Sequence, residues 1–85
     1  MRKFSLLYID DEDSNLRIFR DTFRRKYRIF TCTSAKDGIQ ILNTEQIELI
    51  LSGQRMPEIT GVEFLKYAFE NFPEPNRILI TGFTD

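Results

Sequence analysis

The sequence contains no histidine, and its only cysteine is Cys32. Histidine-based acid–base catalysis and histidine metal ligation are therefore excluded. A single cysteine cannot form an internal disulfide, which favours a reducing compartment, and nothing around Cys32 indicates a lowered thiol pKa. No apolar run approaches the ~20 residues of a membrane span, and the acidic run 10–13 directly follows the first apolar run, unlike a signal peptide. We expect a cytoplasmic protein that does not bind a membrane.

Length and charge narrow the class further. The chain has 85 residues, enough for one small domain, and its 41% hydrophobic and 29% charged content is ordinary for a globular protein. The net charge of −1 gives no overall field that would attract nucleic acid. Six basic residues lie between Arg17 and Arg28. A solvated helix face is favoured over RNA or phosphate binding there, because acids are nearby and no aromatic stacking surface is evident.

Short apolar runs alternate along the chain with stretches of helical periodicity. Four strands are predicted, at Phe4–Ile9, Tyr27–Thr31, Ile47–Leu51 and Arg77–Thr81. Apolar residues at helical spacing predict three buried helix faces, formed by Leu16, Phe19, Phe23 and Tyr27, by Ala35, Ile39 and Leu42, and by Val62, Leu65, Phe69 and Phe72. The third helix is expected over about Gly61–Asn71. The order β-α-β-α-β-α-β predicts a parallel sheet with right-handed crossovers and helices on both faces.

Helix starts are marked by residues that cap the free backbone N–H groups. Candidate caps are Asp13 or Ser14 for the first helix, Ser34 with Asp37 for the second, and Thr60 with Glu63 as a capping box for the third. Gly38, in the second helix, is expected to allow close packing. Proline at position 57 prevents the third strand from running on toward the third helix.

Four positions stand at or just beyond the predicted strand ends: Asp10, Asp11, Gly53 and Thr81. In open α/β sheets, ligands bind beyond the carboxyl ends of the strands. Adjacent carboxylates in a loop suit a hard cation such as Mg²⁺. The alternative is an acidic turn that favours the positive end of the first helix. Charge alone favours the acidic turn, whereas convergence with the end of the third strand favours the cation site.

Several stretches of the chain resemble the receiver domain of two-component response regulators. They are Leu6–Glu12, Leu49–Pro57, Gly61–Leu65 and Ile78–Gly82. The resemblance covers essentially all 85 residues but only about the first two thirds of such a domain. It implies an α/β, flavodoxin-like (CheY-like) fold, truncated after the fourth strand, so that residues 1–85 form a receiver domain lacking the C-terminal strand and helices.

The resemblance also implies a phosphorelay. A histidine kinase or phosphotransfer protein donates a phosphoryl group to an aspartate at the end of the third strand. Asp10 and Asp11 would hold Mg²⁺, with the backbone carbonyl of Arg55 as a further ligand. The hydroxyl of Thr81 would bind the phosphoryl group. Transfer depends on Mg²⁺ and directed donors that stabilise the phosphoryl charge.

The sequence departs from this pattern at the acceptor position, where Gly53 stands instead of aspartate. Three interpretations remain: loss of the phosphorylation site, which we favour; an acceptor elsewhere, of which the nearest, Glu58, lies beyond Pro57; or a tight turn in a different fold. Glycine supplies no nucleophile, so we assign no catalytic residue and expect a phosphorylation-incompetent chain that is not an enzyme. Mg²⁺ should bind weakly or not at all, and restoring aspartate at position 53 should bring back affinity.

The second departure concerns the far end of the domain. The family has a fifth strand with a lysine and an aromatic switch residue, then a final helix, and none of these follows Arg77–Thr81. An apolar strand edge invites pairing with another chain. The alternative function is therefore self-association, with two copies pairing or exchanging elements through the fourth strand to form a homodimer.

Overall fold

The computed structural model describes residues 3–81. Within that range the predicted alternation of strands and helices is confirmed. The elements are β1 (Phe4–Ile9), α1 (Asp13–Phe23), β2 (Tyr27–Cys32), α2 (Ala35–Thr44), β3 (Leu49–Gly53), α3 (Gly61–Asn71) and β4 (Asn76–Ile80). None of the helices described is long and apolar enough to cross a bilayer.

The bounds of three strands differ from the prediction, and the smallest difference is in β2, which continues to Cys32. Ile47 is buried but precedes β3, whose pairing with β1 starts at Leu49, and β3 continues to include Gly53. Thr81 follows β4 rather than ending it. The last residue of the motif Ile78–Gly82 lies outside the described residues. The shift of β3 places position 53 on the strand itself, where it pairs with Ile80 of β4.

All four strands are parallel, in the order β2-β1-β3-β4. This is the order of a flavodoxin-like sheet, in which the chain reverses its direction of winding between β1 and β3. The fold class predicted from the sequence is thereby confirmed. At such a switch point the loops that follow the two strands diverge to opposite faces and leave a crevice. Asp10 follows β1 and Gly53 ends β3, so both border that crevice.

Helices cover both faces of the sheet, each over its own apolar cluster. On one face α2 and α3 pack on the inward residues of β1 and β3, and the buried cluster comprises Leu7, Ile9, Cys32, Leu42, Ile47, Ile50, Phe64 and Ala68. On the other face α1 packs on a smaller cluster of Leu6, Tyr8, Leu16 and Leu51. The central strands are therefore buried on both sides, as expected for parallel strands.

The predicted buried face of α3 is wrong at two of its four positions, whereas Leu65 and Phe72 are partly buried against the cluster under α2 and α3. Val62 and Phe69 are 52% and 51% exposed, and the residues of α3 that are buried are instead Gly61, Phe64 and Ala68. The reason lies at the start of the helix. A Cβ on Gly61 would overlap the carbonyl oxygen of Gly53, so the helix meets the sheet through its glycine. Phe64 and Ala68, three and seven residues after Gly61, lie on the same side of the helix and therefore also face the sheet.

Two of the three caps are confirmed. Ser34 accepts a hydrogen bond from the backbone N–H of Asp37, and Thr60 forms the full capping box with Glu63. The first helix differs, because Glu12 occupies its N-cap and makes no side-chain cap. Gly38 is confirmed as a close-packing position: a Cβ there would lie 3.1 Å from the ring of Phe64 and 3.4 Å from the sulfur of Cys32.

Candidate functional site

The strand ends bring three of the predicted positions to one edge of the sheet. Ile9 pairs with Ser52, so Asp10 lies beside Gly53. A Cβ built on Gly53 would lie 3.0 Å from Oδ2 of Asp10 and 3.7 Å from its Oδ1. On the other side, Gly53 pairs with Ile80, the residue before Thr81. A side chain at position 53 would therefore point at the Asp10 carboxylate.

The Asp10 carboxylate is 7% exposed and already hydrogen-bonded by the protein. Its Oδ2 accepts from the phenol of Tyr8 at 2.8 Å and from the amide of Asn15 at 3.5 Å. Its Oδ1 accepts from the backbone N–H of Glu12 at 2.9 Å. The last of these bonds goes to the N-cap residue of α1 and holds the loop between β1 and that helix. Asp11, the next residue, is exposed.

Tyr8 reaches this site from inside the sheet. It is 5% exposed, and its ring packs edge-on against Phe19 with 4.9 Å between centroids. Burial, and then the hydrogen bond to Asp10 and its charge, raise the pKa of Tyr8 above the usual value for a phenol. The phenol therefore stays protonated at neutral pH and acts as the donor to the carboxylate.

Sequence reasoning missed Tyr8 and Asn15. The signal for Tyr8 was present: it stands two residues before Asp10 in an extended strand, and residues i and i+2 point to the same face. A phenol in an otherwise aliphatic strand needs a partner when it is buried. Asn15 carries no comparable signal, because its hydrogen bond to Asp10 depends on the orientation of α1 relative to the loop after β1.

The loop after β3 is held by backbone contacts. The N–H of Gly61 donates to the carbonyl of Gln54 at 2.8 Å, and the N–H of Val62 donates to the side-chain Oε1 of Gln54 at 3.1 Å. Arg55 lies in this loop, two residues after Gly53, with an exposed side chain. Its predicted role as a carbonyl ligand stays a prediction, as do the roles of Asp10, Asp11 and Thr81.

Cys32 lies at the end of β2, and its backbone carbonyl accepts from the N–H of Asp10 at 3.2 Å. The thiol is 9% exposed. Burial raises its pKa to about 11, and the charge of Asp37 acts in the same direction, against a hydrogen bond from the backbone of Ser34. The expectation of an unreactive thiol agrees with this environment.

The residues around the strand ends do not fit a divalent cation. Both oxygens of Asp10 accept hydrogen bonds from protein donors, and Gly53 supplies no carboxylate. In the part of the chain that the structure describes, no three acidic or cysteine side chains group closely enough to hold a metal ion. Mg²⁺ needs near-octahedral oxygen ligands, and here the buried oxygens face donors of their own.

Comparison with known proteins agrees with this fold. The family described as the response regulator receiver domain matches residues 6–85. A hydrogenase transcriptional regulatory protein, HoxA of Cupriavidus necator, is 39% identical over 84 residues, which are 99% of this chain and 17% of HoxA. The chain thus spans about one sixth of that relative.

Solved structures show the same fold. The signal receiver domain of an HD domain-containing protein from Pseudomonas fluorescens Pf-5 superposes with a TM-score of 0.92 at 24% identity, over 99% of this chain and 68% of that one. A CheY-like response regulator receiver domain protein from Methanospirillum hungatei JF-1 gives a TM-score of 0.89 at 23% identity, over 98% of this chain and 67% of that one.

Receiver domains are regulatory modules that generally bind Mg²⁺, and those of response regulators are phosphorylated by histidine kinases. The family match spans nearly the whole sequence, and the sheet order and the acidic pair after β1 agree with it. The chain belongs to the receiver domain family of two-component response regulators.

Proposed function

We propose that this chain is a receiver domain that keeps the scaffold of its family and has lost phosphotransfer. The observation that carries the proposal is glycine at position 53. A side chain at this position would point at the Asp10 carboxylate. An acceptor aspartate would need that direction in order to lie in the same acidic pocket. Without that side chain the strand end offers no nucleophile for an aspartyl phosphate.

Neighbouring groups do not replace the acceptor. The hydroxyl of Ser52 is fully buried and donates to the carbonyl of Gly53 at 2.8 Å. Asp10 is buried and hydrogen-bonded on both oxygens. Glu58 lies in the loop beyond Pro57. In-line phosphoryl transfer needs a nucleophile with open access on one side. Ser52 and Asp10 lack that access, and Glu58, although exposed, lies outside β3 and beyond Pro57.

The partners follow from the family and the surface. A histidine kinase or phosphotransfer protein remains the proposed partner. It would dock without phosphorylation on the first helix, which carries the exposed arginines Arg17 and Arg20. We place the protein in the cytoplasm, with no membrane or nucleic acid bound by this domain.

The name of HoxA favours transcriptional regulation as the output of a longer protein. The chain itself catalyses no reaction in this proposal.

Acetyl phosphate tests the loss of phosphotransfer. The purified chain is incubated with acetyl phosphate and MgCl₂, and its intact mass is measured. We expect no phosphoryl adduct, while a receiver domain with aspartate at the acceptor position, treated in parallel, gains one and shows that the reagent is active. A stable adduct on this chain would refute the proposal, and peptide mapping would then identify the acceptor.

A second proposed function, self-association, is favoured by the face of β4. Ile78 is 47% exposed and pairs in register with Leu51 of the neighbouring strand. Within residues 3–81 no strand pairs with the outer edge of β4. An apolar strand with a free edge is a template for a second copy, and the resulting homodimer would bury Ile78.

A further inference from the structure

We infer that Tyr8 is a positioning residue that takes the place of a cation in this acidic pocket. Its hydroxyl donates to the Asp10 oxygen that faces position 53 and holds the carboxylate there without a metal. The pocket is therefore closed to Mg²⁺ by two features, the glycine at position 53 and the phenol of Tyr8. This role of Tyr8 goes beyond the loss of the acceptor: contrary to the expectation from the sequence, restoring aspartate at position 53 alone would not be enough to bring back Mg²⁺ binding.

The Asp10 oxygen that faces position 53 is already occupied by protein donors. A buried ionised carboxylate must be hydrogen-bonded or must bind a cation, because desolvation of an unpaired charge is costly. Here Tyr8 and the N–H of Glu12 supply one donor to each oxygen, at 2.8 and 2.9 Å, and Asn15 lies at 3.5 Å. Tyr8 and Asn15 occupy both lone pairs of Oδ2, so a cation could bind that oxygen only by displacing one of them, whereas Oδ1 keeps one lone pair.

The Tyr8 hydrogen bond also holds the Asp10 carboxylate close to position 53. Oδ2, the oxygen bound by Tyr8, is also the atom nearest to the Cβ built at position 53, at 3.0 Å. A contact that short requires Asp10 to move by a few tenths of an ångström. The phenol opposes that movement, because its ring is buried between β1 and α1 against Phe19 and Leu16. An aspartate side chain at position 53 would therefore contact the Asp10 carboxylate, which Tyr8 prevents from moving away.

A cation and the Tyr8 phenol compete for the same oxygen of Asp10. That oxygen has two lone pairs, and Tyr8 and Asn15 occupy both, whereas phenylalanine at position 8 leaves one of them open. Phenylalanine keeps the ring and its packing on Phe19. Tyr8→Phe combined with Gly53→Asp should therefore create the cation site that Gly53→Asp alone leaves blocked.

Calorimetric titration with MgCl₂ on four proteins tests this inference: the natural chain, Tyr8→Phe, Gly53→Asp, and the double variant Tyr8→Phe/Gly53→Asp. We expect no saturable binding in the first two. The double variant should bind at least about tenfold more tightly than Gly53→Asp alone, the scale of one charge-assisted hydrogen bond. Tyr27→Phe/Gly53→Asp is the matched control, since Tyr27 pairs with Phe4 at the opposite edge of the sheet.

Equal affinity in Gly53→Asp and the double variant, or equal lack of it, would overturn the inference. So would saturable Mg²⁺ binding by the natural chain. A second readout does not depend on the variants folding: the Tyr8 hydroxyl proton should give a protected NMR signal that MgCl₂ leaves unchanged, and its loss on titration would also overturn the inference. A phosphoryl adduct on the natural chain would refute the proposed function alone, so the two failures are distinguishable.

Discussion

At the scale of single residues, Gly61 joins the start of the third helix to the end of β3 at Gly53. A Cβ there would overlap the carbonyl oxygen of Gly53 and lie 2.8 Å from Cδ1 of Leu79. No glycine in residues 3–81 has a positive φ, so the requirement is for space and not for an unusual backbone conformation. The start of α3 can approach β3 this closely only because position 61 has no side chain.

Gly61→Ala should therefore destabilise the protein. Overpacking against backbone atoms that cannot rotate away costs roughly 1–3 kcal/mol or more, and urea unfolding followed by circular dichroism measures it. Gly38→Ala is the matched control. The added Cβ would lie 3.1 Å from the end of the Phe64 side chain and not against backbone, and the higher helix propensity of alanine would offset its cost by about 1 kcal/mol. Equal losses of unfolding free energy in the two variants would contradict this account.

The residues of the site were predictable to different degrees. Asp10 and Gly53 could be placed together from the sequence, because the carboxyl ends of parallel strands meet at one edge. The saturation of Asp10 by Tyr8 could not, because a side-chain hydrogen bond depends on rotamers fixed by packing on α1. Sequence reasoning thus located the pocket but missed the donor that fills it.

At the scale of elements, the capping box of α3 fixes where that helix begins. The hydroxyl of Thr60 accepts from the N–H of Glu63 at 3.1 Å, and the Glu63 carboxylate accepts from the N–H of Thr60 at 2.8 Å. The cap thus makes Gly61 the first residue of the helix and places it against β3. The motif was readable from the sequence because its chemistry is local.

Thr60→Ala should lower the free energy of unfolding by about 1 kcal/mol, the usual cost of losing a threonine cap. Chemical denaturation measures the change. Thr22→Ala provides the comparison, since that exposed hydroxyl donates at 2.7 Å to the carbonyl of Ile18 within α1, a bond that adds little to helix stability. If Thr22→Ala cost as much as Thr60→Ala, the cap would not be the cause.

The buried face of α3 shows where local patterns fail. Val62, Leu65 and Phe69 recur at helical spacing, and that pattern alone predicts an apolar face. The structure turns the helix so that Phe64 and Ala68 face the sheet, and leaves Val62 and Phe69 half exposed. Arg77 lies over the ring of Phe69 at 4.3 Å and partly covers it. Periodicity identified the helix, but the long-range contact of its first residue determined its rotation.

At the scale of the whole molecule, the topology was predictable because it follows from element order. Alternating strands and helices permit few parallel arrangements with right-handed crossovers, and the observed order β2-β1-β3-β4 is one of them. The arrangement leaves β4 at the edge of the sheet described. Ile78 and Ile80 share a face with Leu51 and Leu49, on the side that α1 covers only in part.

That uncovered face leads to the last prediction, which concerns the oligomeric state. We expect the 85-residue chain to form dimers at tens of micromolar, measured by light scattering after gel filtration. Ile78→Lys should restore the monomer, because a charge on an edge strand opposes pairing with a second copy. Ile18→Lys is the control: Ile18 is 65% exposed on α1, away from β4, and its replacement should leave the dimer intact. A monomeric natural chain, or dimers that persist in Ile78→Lys, would remove β4 as the interface and leave the receiver function as the single proposal.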